Sequence, residues 1–371
     1  KQKTAYEIMP SLVGSEMCIR DSFNTEQNRY NRRHPKNKDN MECKLCGGKA
    51  YSRAIPFCSH CVKKEEVLNY LNEIHDGLDK IGKKSRFKCK LCSNECGLND
   101  NDISLCRLKG VKNGKMFSLT TSRKAVMSYY EDPLPTNCCN AWFCDGSKLQ
   151  GTNLAVFYYG CNFDCLYCQN WTHKKVGHGR IVKLDEIVKY SMKDRIKCIC
   201  HFGGSPEPQI AFAIKFSQEV LKERDIMICW EWNGAGRQSL ALKAAKLSYK
   251  SNGTVKFDLK AWNNNLHKIL TGRSNEQTLR NFEKIYEEYN KVVSATTLLV
   301  PYYVDKEEVE GIAKFIAGLD ASIPYSLLIF HPDYRLSDLP ITPKQQVIEC
   351  YEVAKKHLKN VNVGNIHLLG W

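Results

Sequence analysis

No apolar run in this 371-residue chain approaches the length of a membrane span, and its N-terminus lacks a secretory pattern. Neither a spanning helix nor export is expected, and the cytoplasm is the expected compartment. Acidic residues are in short supply: 40 Asp and Glu stand against 55 Lys and Arg, a net charge of +15. Residues 23–90 alone hold 16 basic and 8 acidic side chains. Such a basic end can attract nucleic acid or an acidic protein, although a lysine-rich solvated surface has the same composition. The hydrophobic share, 43%, is ordinary, and the length allows one large domain plus a smaller one. What is plentiful is cysteine, with 19. Without an export signal, that many thiols point to metal sites in a reducing compartment and away from a disulfide framework.

The first 22 residues stand apart from the rest. AYEIMPSLVGSEMCIRDS resembles read-through of a sequencing adapter, so residues 1–22, Cys18 included, are expected to be a non-native leader. A first unit follows over 23–85. In it CKLCGGKAYSRAIPFCSHC carries two C-x2-C knuckles eleven residues apart, and Cys43, Cys46, Cys58 and Cys61 suit a tetrahedral four-thiolate zinc site. A ribbon this small depends on its metal to fold. In VKKEEVLNYLNEIHDGLDKIG, Val67, Leu68, Leu71, Ile74 and Leu78 share one stripe, which predicts a connecting helix. A second cysteine-rich unit spans 86–150. Cys89, Cys92, Cys96 and Cys106 again offer four thiolates at wider spacing; zinc is the first choice, and iron accepts the same ligands. Cys138, Cys139 and Cys144 in NCCNAWFC are further candidate ligands, and the pairing stays open.

From residue 151 to 371 the texture changes. The β-rich runs NLAVFYY, KCICHF, IMICWEW, TVKFDLK, VVSATTLLV and YSLLIF alternate with helical stretches such as LDEIVKYSM, QIAFAIKFSQEVLKE and KEEVEGIAKFIAGL. Six βα repeats imply parallel strands with right-handed crossovers, hence an α/β partial (β/α)6 barrel with its chemistry at the C-terminal strand ends. Cys198, Cys200, Cys229 and Cys350 read as buried structural thiols.

One cysteine motif lacks a member. YYGCNFDCLYCQNW holds Cys161, Cys165 and Cys168 in a C-x3-C-x2-C pattern directly after the first strand, and four-ligand sites want one more. Three cysteines so placed resemble the radical S-adenosylmethionine (SAM) superfamily. The resemblance implies that they hold three irons of a [4Fe–4S] cluster while the fourth iron stays open to chelate SAM. Reductive cleavage of SAM then gives a 5′-deoxyadenosyl radical that takes a hydrogen atom from a substrate. Tyr167 stands where the family puts an aromatic residue near the adenine. HFGGSPEPQ resembles the family's Gly-Gly-Glu/Asp-Pro motif, matching Gly203 and Gly204; Ser205 replaces the acid, and Glu207 lies two places on as a candidate substitute.

Further motifs resemble the pyruvate formate-lyase activating enzyme branch. WEWNG aligns Glu231, Asn233 and Gly234 with Asp-Thr-Asn-Gly, and FDLKAW aligns Asp258 and Lys260 with Asp-Leu-Lys. LLIFHPDY places His331 as a contact to the SAM ribose or carboxylate. Asp258, with Glu231, is also a candidate holder of a monovalent cation beside that carboxylate. The resemblance implies a protein or peptide substrate, with a glycine α-carbon as one target, and a one-electron reductant of flavodoxin or ferredoxin type. A different radical modification of a peptide or small molecule is the nearest alternative. A nucleic-acid-binding metalloprotein is the alternative from another class, but the chain has no recognisable base-reading module.

Overall fold

The computed structural model describes residues 41–370; the leader expected over 1–22 lies outside the described residues. Runs of β-branched and apolar residues form nine strands of one sheet: β1 Lys124–Pro133, β2 Thr152–Tyr158, β3 Arg180–Lys183, β4 Ile196–Phe202, β5 Met227–Trp232, β6 Val255–Asp258, β7 Val293–Leu299, β8 Tyr325–Ile329 and β9 Val361–Gly364. Their order is β9-β8-β7-β6-β5-β4-β2-β1-β3. The seven strands from β9 to β2 run parallel, while β1 is antiparallel to both β2 and β3. All six strands expected from sequence are present. The sheet also gains β9 at one edge and the antiparallel pair at the other.

Helices α1 Leu184–Ser191, α2 Ile210–Glu223, α3 Gln238–Ser251, α4 Asn264–Thr271, α5 Glu276–Tyr289, α6 Lys306–Leu319 and α7 Lys344–His357 connect the strands. Alternation along each strand divides the sheet into two faces. Ile199, Ile228, Trp230, Trp232 and Phe257 pack into the main core with helix residues such as Phe212, Phe216, Ala245 and Phe282. The other parity turns Cys198, Cys200, Cys229, Glu231, Lys256 and Asp258 to the lumen. Beneath it the loop 134–150 closes the N-terminal strand ends. Asn140 Nδ2 donates to Thr254 Oγ1 at 2.9 Å, Ser294 Oγ to Asn140 Oδ1 at 3.2 Å, and Trp142 Nε1 to Ser326 Oγ at 3.0 Å.

The first cysteine unit docks on the barrel. Ile55, Phe57 and Val62 are fully buried in the main core, and Tyr51 stacks on Tyr302 with ring centroids 4.1 Å apart. The connecting segment is not one continuous helix. It breaks into 3-10 turns at Cys61–Lys63, Glu65–Tyr70 and Leu78–Lys80, around one α-helical turn at Leu71–Ile74. Two residues interrupt it. His75 turns extended, so that Nδ1 meets Asp164 and Nε2 meets the Ile269 carbonyl, each at 2.9 Å, and Gly77 is left-handed. Val67 and Ile74 keep their predicted burial.

Candidate active site

The loop after β2 carries the three-cysteine motif, and its backbone is tied down on both sides. Asp164 N–H donates to Thr271 O at 2.8 Å and Leu166 N–H to Leu270 O at 2.9 Å, which fixes the loop to the end of α4. The Leu166 carbonyl accepts from Arg335 and Leu336 N–H at 3.0 and 3.2 Å. Phe163 N–H points at Cys161 Sγ at 3.4 Å, an N–H···S contact that favours thiolate. Without a metal, burial holds all three thiols above their ordinary pKa, Cys165 at about 11. Positive charge opposes that rise: Lys260 acts on Cys165, and Lys174 on Cys165 and Cys168.

Cys161, Cys165 and Cys168 open onto a cavity of about 300 Å³ at the C-terminal strand ends. Tyr167, Gly203, Gly204, Ser205, Glu231, Asn233, Asp258 and Lys260 line it with them. Gly203 and Gly204 have φ of +67° and +55°, and a Cβ on either would strike Phe157 or the Tyr158 carbonyl. Asn233 is held in place: its Nδ2 donates to Asn162 Oδ1 at 2.7 Å and to Ser205 Oγ at 3.0 Å. Asn162, fully buried and next to Cys161 in the chain, completes this amide pair through Nδ2 to Asn233 Oδ1 at 3.2 Å. Sequence reasoning passed over Asn162, because a lone Asn beside a cysteine carries no signal of its own.

The charged wall differs from expectation in one respect. Glu231 and Asp258 do converge, but on the Lys256 ammonium, at 3.2 and 3.0 Å. A built-in cation thus stands where a bound monovalent ion was anticipated. Lys260 Nζ adds a 3.1 Å contact to Asp258. Burial alone would raise the Asp258 carboxyl, but Lys256 and Lys260 outweigh it and hold the pKa at about 2.

Two residues expected to contact the cofactor are not among those lining this cavity. Glu207 is fully buried behind the wall, where it accepts Gly234 N–H at 2.8 Å and the Ser205 hydroxyl. Burial lifts its carboxyl to about 7 despite those donors. Its two carboxylate oxygens thereby tie Ser205 to the Asn233–Gly234 turn. His331, half-buried just beyond β8, is not among the residues lining the cavity.

The remaining cysteines sort themselves. Cys43, Cys46, Cys58 and Cys61 bring their sulfurs within 4.8 Å of one another, as one tetrahedral ion requires. Cys138, Cys139 and Cys144 do not join the set around Cys89. Cys139 forms part of the cavity floor, 4.0 Å from both Glu231 and Lys256, and Cys138 and Cys144 lie near Cys229. Cys198, Cys200, Cys229 and Cys350 are buried, as expected.

These residues fit an iron–sulfur cluster with SAM. Three thiols lie on one side of the cavity, two glycines leave room for close backbone approach, and the buried Tyr167 hydroxyl has no partner. A parallel α/β sheet with such a site at its strand C-termini defines a class of cofactor-dependent barrel enzyme. Comparison with known proteins points the same way. The model of the Radical SAM superfamily matches residues 155–316, so this stretch carries a radical SAM domain, and the chain resembles activating enzymes. A protein of Methanocaldococcus jannaschii, provisionally named a glycyl-radical enzyme activating enzyme, is 27% identical over 56% of this chain and 79% of its own. A Staphylococcus aureus pyruvate formate-lyase-activating enzyme is 28% identical over 49% of this chain and 75% of its own. An uncharacterized M. jannaschii protein is 25% identical over 76% of this chain and 82% of its own. That span is longer than everything from β2 onward, so the likeness extends into the cysteine-rich segment.

Proposed function

We propose that this radical SAM enzyme works as an activating enzyme, abstracting hydrogen from a protein or peptide, with a glycine α-carbon as the target. Cys161, Cys165 and Cys168 would hold a [4Fe–4S] cluster that leaves one iron for SAM. Bound there, cluster and SAM supply the reductive cleavage that yields a 5′-deoxyadenosyl radical. The carrying observation is the shared cavity: three thiols on one side, and the Gly203–Gly204 backbone, Asn233, Asp258 and Lys260 around them.

Each residue has its own task. The flanking hydrogen bonds to Leu270, Thr271 and Asn233 orient the thiols before any ligand arrives. Gly203 and Gly204 let the SAM amino group approach the protein backbone closely, Asn233 keeps the loop around Cys161 in place, and Lys260 pairs with the SAM carboxylate. Loop 134–150 keeps water out from below, which protects a reactive radical. The M. jannaschii and S. aureus relatives support the substrate class through their activating-enzyme names. A flavodoxin- or ferredoxin-type protein would supply the electron.

The test is anaerobic, iron–sulfur-reconstituted protein reduced with dithionite, compared over hours with Cys161→Ala/Cys165→Ala/Cys168→Ala. Wild type should release methionine and 5′-deoxyadenosine, and the variant neither. Equal 5′-deoxyadenosine from both, with the wild-type cluster verified, refutes the proposal. With candidate partner proteins, a persistent glycyl signal in electron paramagnetic resonance (EPR) marks activation; a changed product without that signal marks another peptide modification.

A further inference from the structure

The second cysteine set lies directly against the SAM-facing loops. The pairing of Phe87–Lys88 with Gly97–Leu98 brings Cys89 N–H to Cys96 O at 2.9 Å. Ser93 N–H donates to Ala235 O and Arg237 N–H to Leu91 O, both at 2.9 Å, so the knuckle holds the turn that carries Asn233. Asn94 Nδ2 donates to the Asn162 carbonyl at 2.8 Å, immediately after Cys161. On the other side of Cys161, a Cβ on Gly160 would meet the Cys106 carbonyl at 2.5 Å. Cys106 and Cys161 also line one cleft of about 750 Å³.

Spacing and charge indicate what the set holds. A single zinc ion, with Zn–S near 2.3 Å, keeps its sulfurs within about 4 Å of one another. Among the described residues only Cys43, Cys46, Cys58 and Cys61 form a group whose ligand atoms all lie within 4.8 Å. Among the described residues, Cys89, Cys92, Cys96 and Cys106 form no such compact group, and neither do Cys161, Cys165 and Cys168. Positive charge surrounds the set around Cys89. Lys109 Nζ lies 3.5 Å from Cys89 Sγ, and Arg273, whose buried Nε has no hydrogen-bond partner, is within electrostatic reach of Cys92 and Cys96. Four thiolates around an iron–sulfur core carry net negative charge that such cations offset.

We propose that Cys89, Cys92, Cys96 and Cys106 bind a second iron–sulfur cluster, placed beside Cys161 to relay single electrons. The ligand assignment stands alone, while the relay rests on the proposed cluster at Cys161. In the relay an external low-potential one-electron donor is oxidised. The second cluster is reduced, then reoxidised as the first is reduced; no covalent bond changes and no proton moves.

The test uses full-length protein, reconstituted anaerobically, with iron, sulfide and zinc measured per chain. Cys161→Ala/Cys165→Ala/Cys168→Ala should keep about four irons and one zinc and, once reduced, give the EPR signal of an isolated cluster. Wild type should hold about eight irons, and its reduced spectrum should be broadened by spin–spin interaction. An iron-free triple variant carrying two zinc ions overturns the second cluster. Equal iron in wild type and triple variant instead refutes the cluster at Cys161, and so distinguishes the two failures. Eight irons without spin interaction overturns the relay. Because the decisive variant alters only the barrel loop, the result does not depend on how well Cys89 or Cys96 substitutions fold.

Discussion

Lys256 carries the clearest residue-scale consequence of the structure. Its ammonium is buried between Glu231 and Asp258, where burial alone would lower its pKa and the two carboxylates raise it. Lys256→Met leaves Glu231 without its cation and Asp258 with Lys260 alone, two carboxylates sharing one ammonium. The variant is expected to bind SAM at least tenfold more weakly in low salt and to recover as sodium or potassium is added, while wild type shows no such recovery. Titrations that are insensitive to the cation in both proteins remove this role. Lys260→Ala should keep its iron and visible absorbance and lose about 1–3 kcal/mol of SAM affinity, checked by equilibrium binding; wild-type affinity would sink the contact. Glu207 links this site to pH. Its folded pKa of about 7 exceeds the ordinary 4.5, so the native state binds the extra proton and stability falls as pH rises from about 4.5 through 7. That loss amounts to roughly 3 kcal/mol by pH 8. Melting temperatures across this range should decline in wild type more than in Glu207→Gln, and parallel curves would contradict the assignment. That Cys161, Gly203, Asn233, Asp258 and Lys260 share one cavity was legible because motif and strand end coincide. Lys256 was not, although it shares a strand face with Asp258, because a lysine inside an apolar run reads as ordinary strand.

At the scale of elements, the turn after β4 depends on backbone shape more than on side-chain chemistry. Gly204 sits at φ +55° with the Tyr158 carbonyl where a Cβ would go. Gly204→Ala therefore meets both the left-handed penalty, about 1–2 kcal/mol, and a collision with backbone that cannot swing aside. Gly82 has a similar φ of +63° but open space around it, so Gly82→Ala meets the first cost alone. The expected result is a larger fall in thermal stability for Gly204→Ala, together with loss of SAM binding that Gly82→Ala retains. Equal stability loss with normal SAM binding in both would argue against the close-approach role. The six parallel strands and five of the helices could be read from their periodicity, since apolar runs of six or seven residues leave little choice. Val361–Gly364 could not: four residues with an Asn and a Gly carry no strand pattern, and pairing with β8 makes the strand. The Asn264–Thr271 helix opens Asn-Asn and depends on Asn263, whose side chain accepts from Asn265 and Leu266 N–H. The connecting segment failed as one helix because tertiary bonds to His75 outweigh its own periodicity.

At the scale of the whole molecule, the ribbon around Cys43 and the three-cysteine loop share one continuous core. Read alone, the ribbon around Cys43 is a small unit whose unfolding would leave the barrel undisturbed; the clustering of its four cysteines was legible, but the surface the ribbon docks on was not. That surface depends on residues about 250 positions away in sequence, which no local pattern reports. Ser52 Oγ donates to Asp338 at 2.9 Å, Tyr303 Oη to the Phe57 carbonyl at 3.2 Å, and Lys63 pairs with Asp305 at 2.9 Å. From the ribbon the chain reaches His75, which contacts Asp164 inside the three-cysteine loop itself. Stripping the ribbon's metal thus removes the support for Ile55, Phe57 and Val62 and loosens Asp164, not only the knuckles. Cys43→Ser/Cys46→Ser should lose one zinc and melt at a lower temperature in a single calorimetric transition, with less iron retained at Cys161, Cys165 and Cys168 after reconstitution. A protein with two folding units would instead keep the main transition at its wild-type temperature and merely lose a small early one. That second trace, with full iron loading, would show that the interface contributes contact without cooperativity.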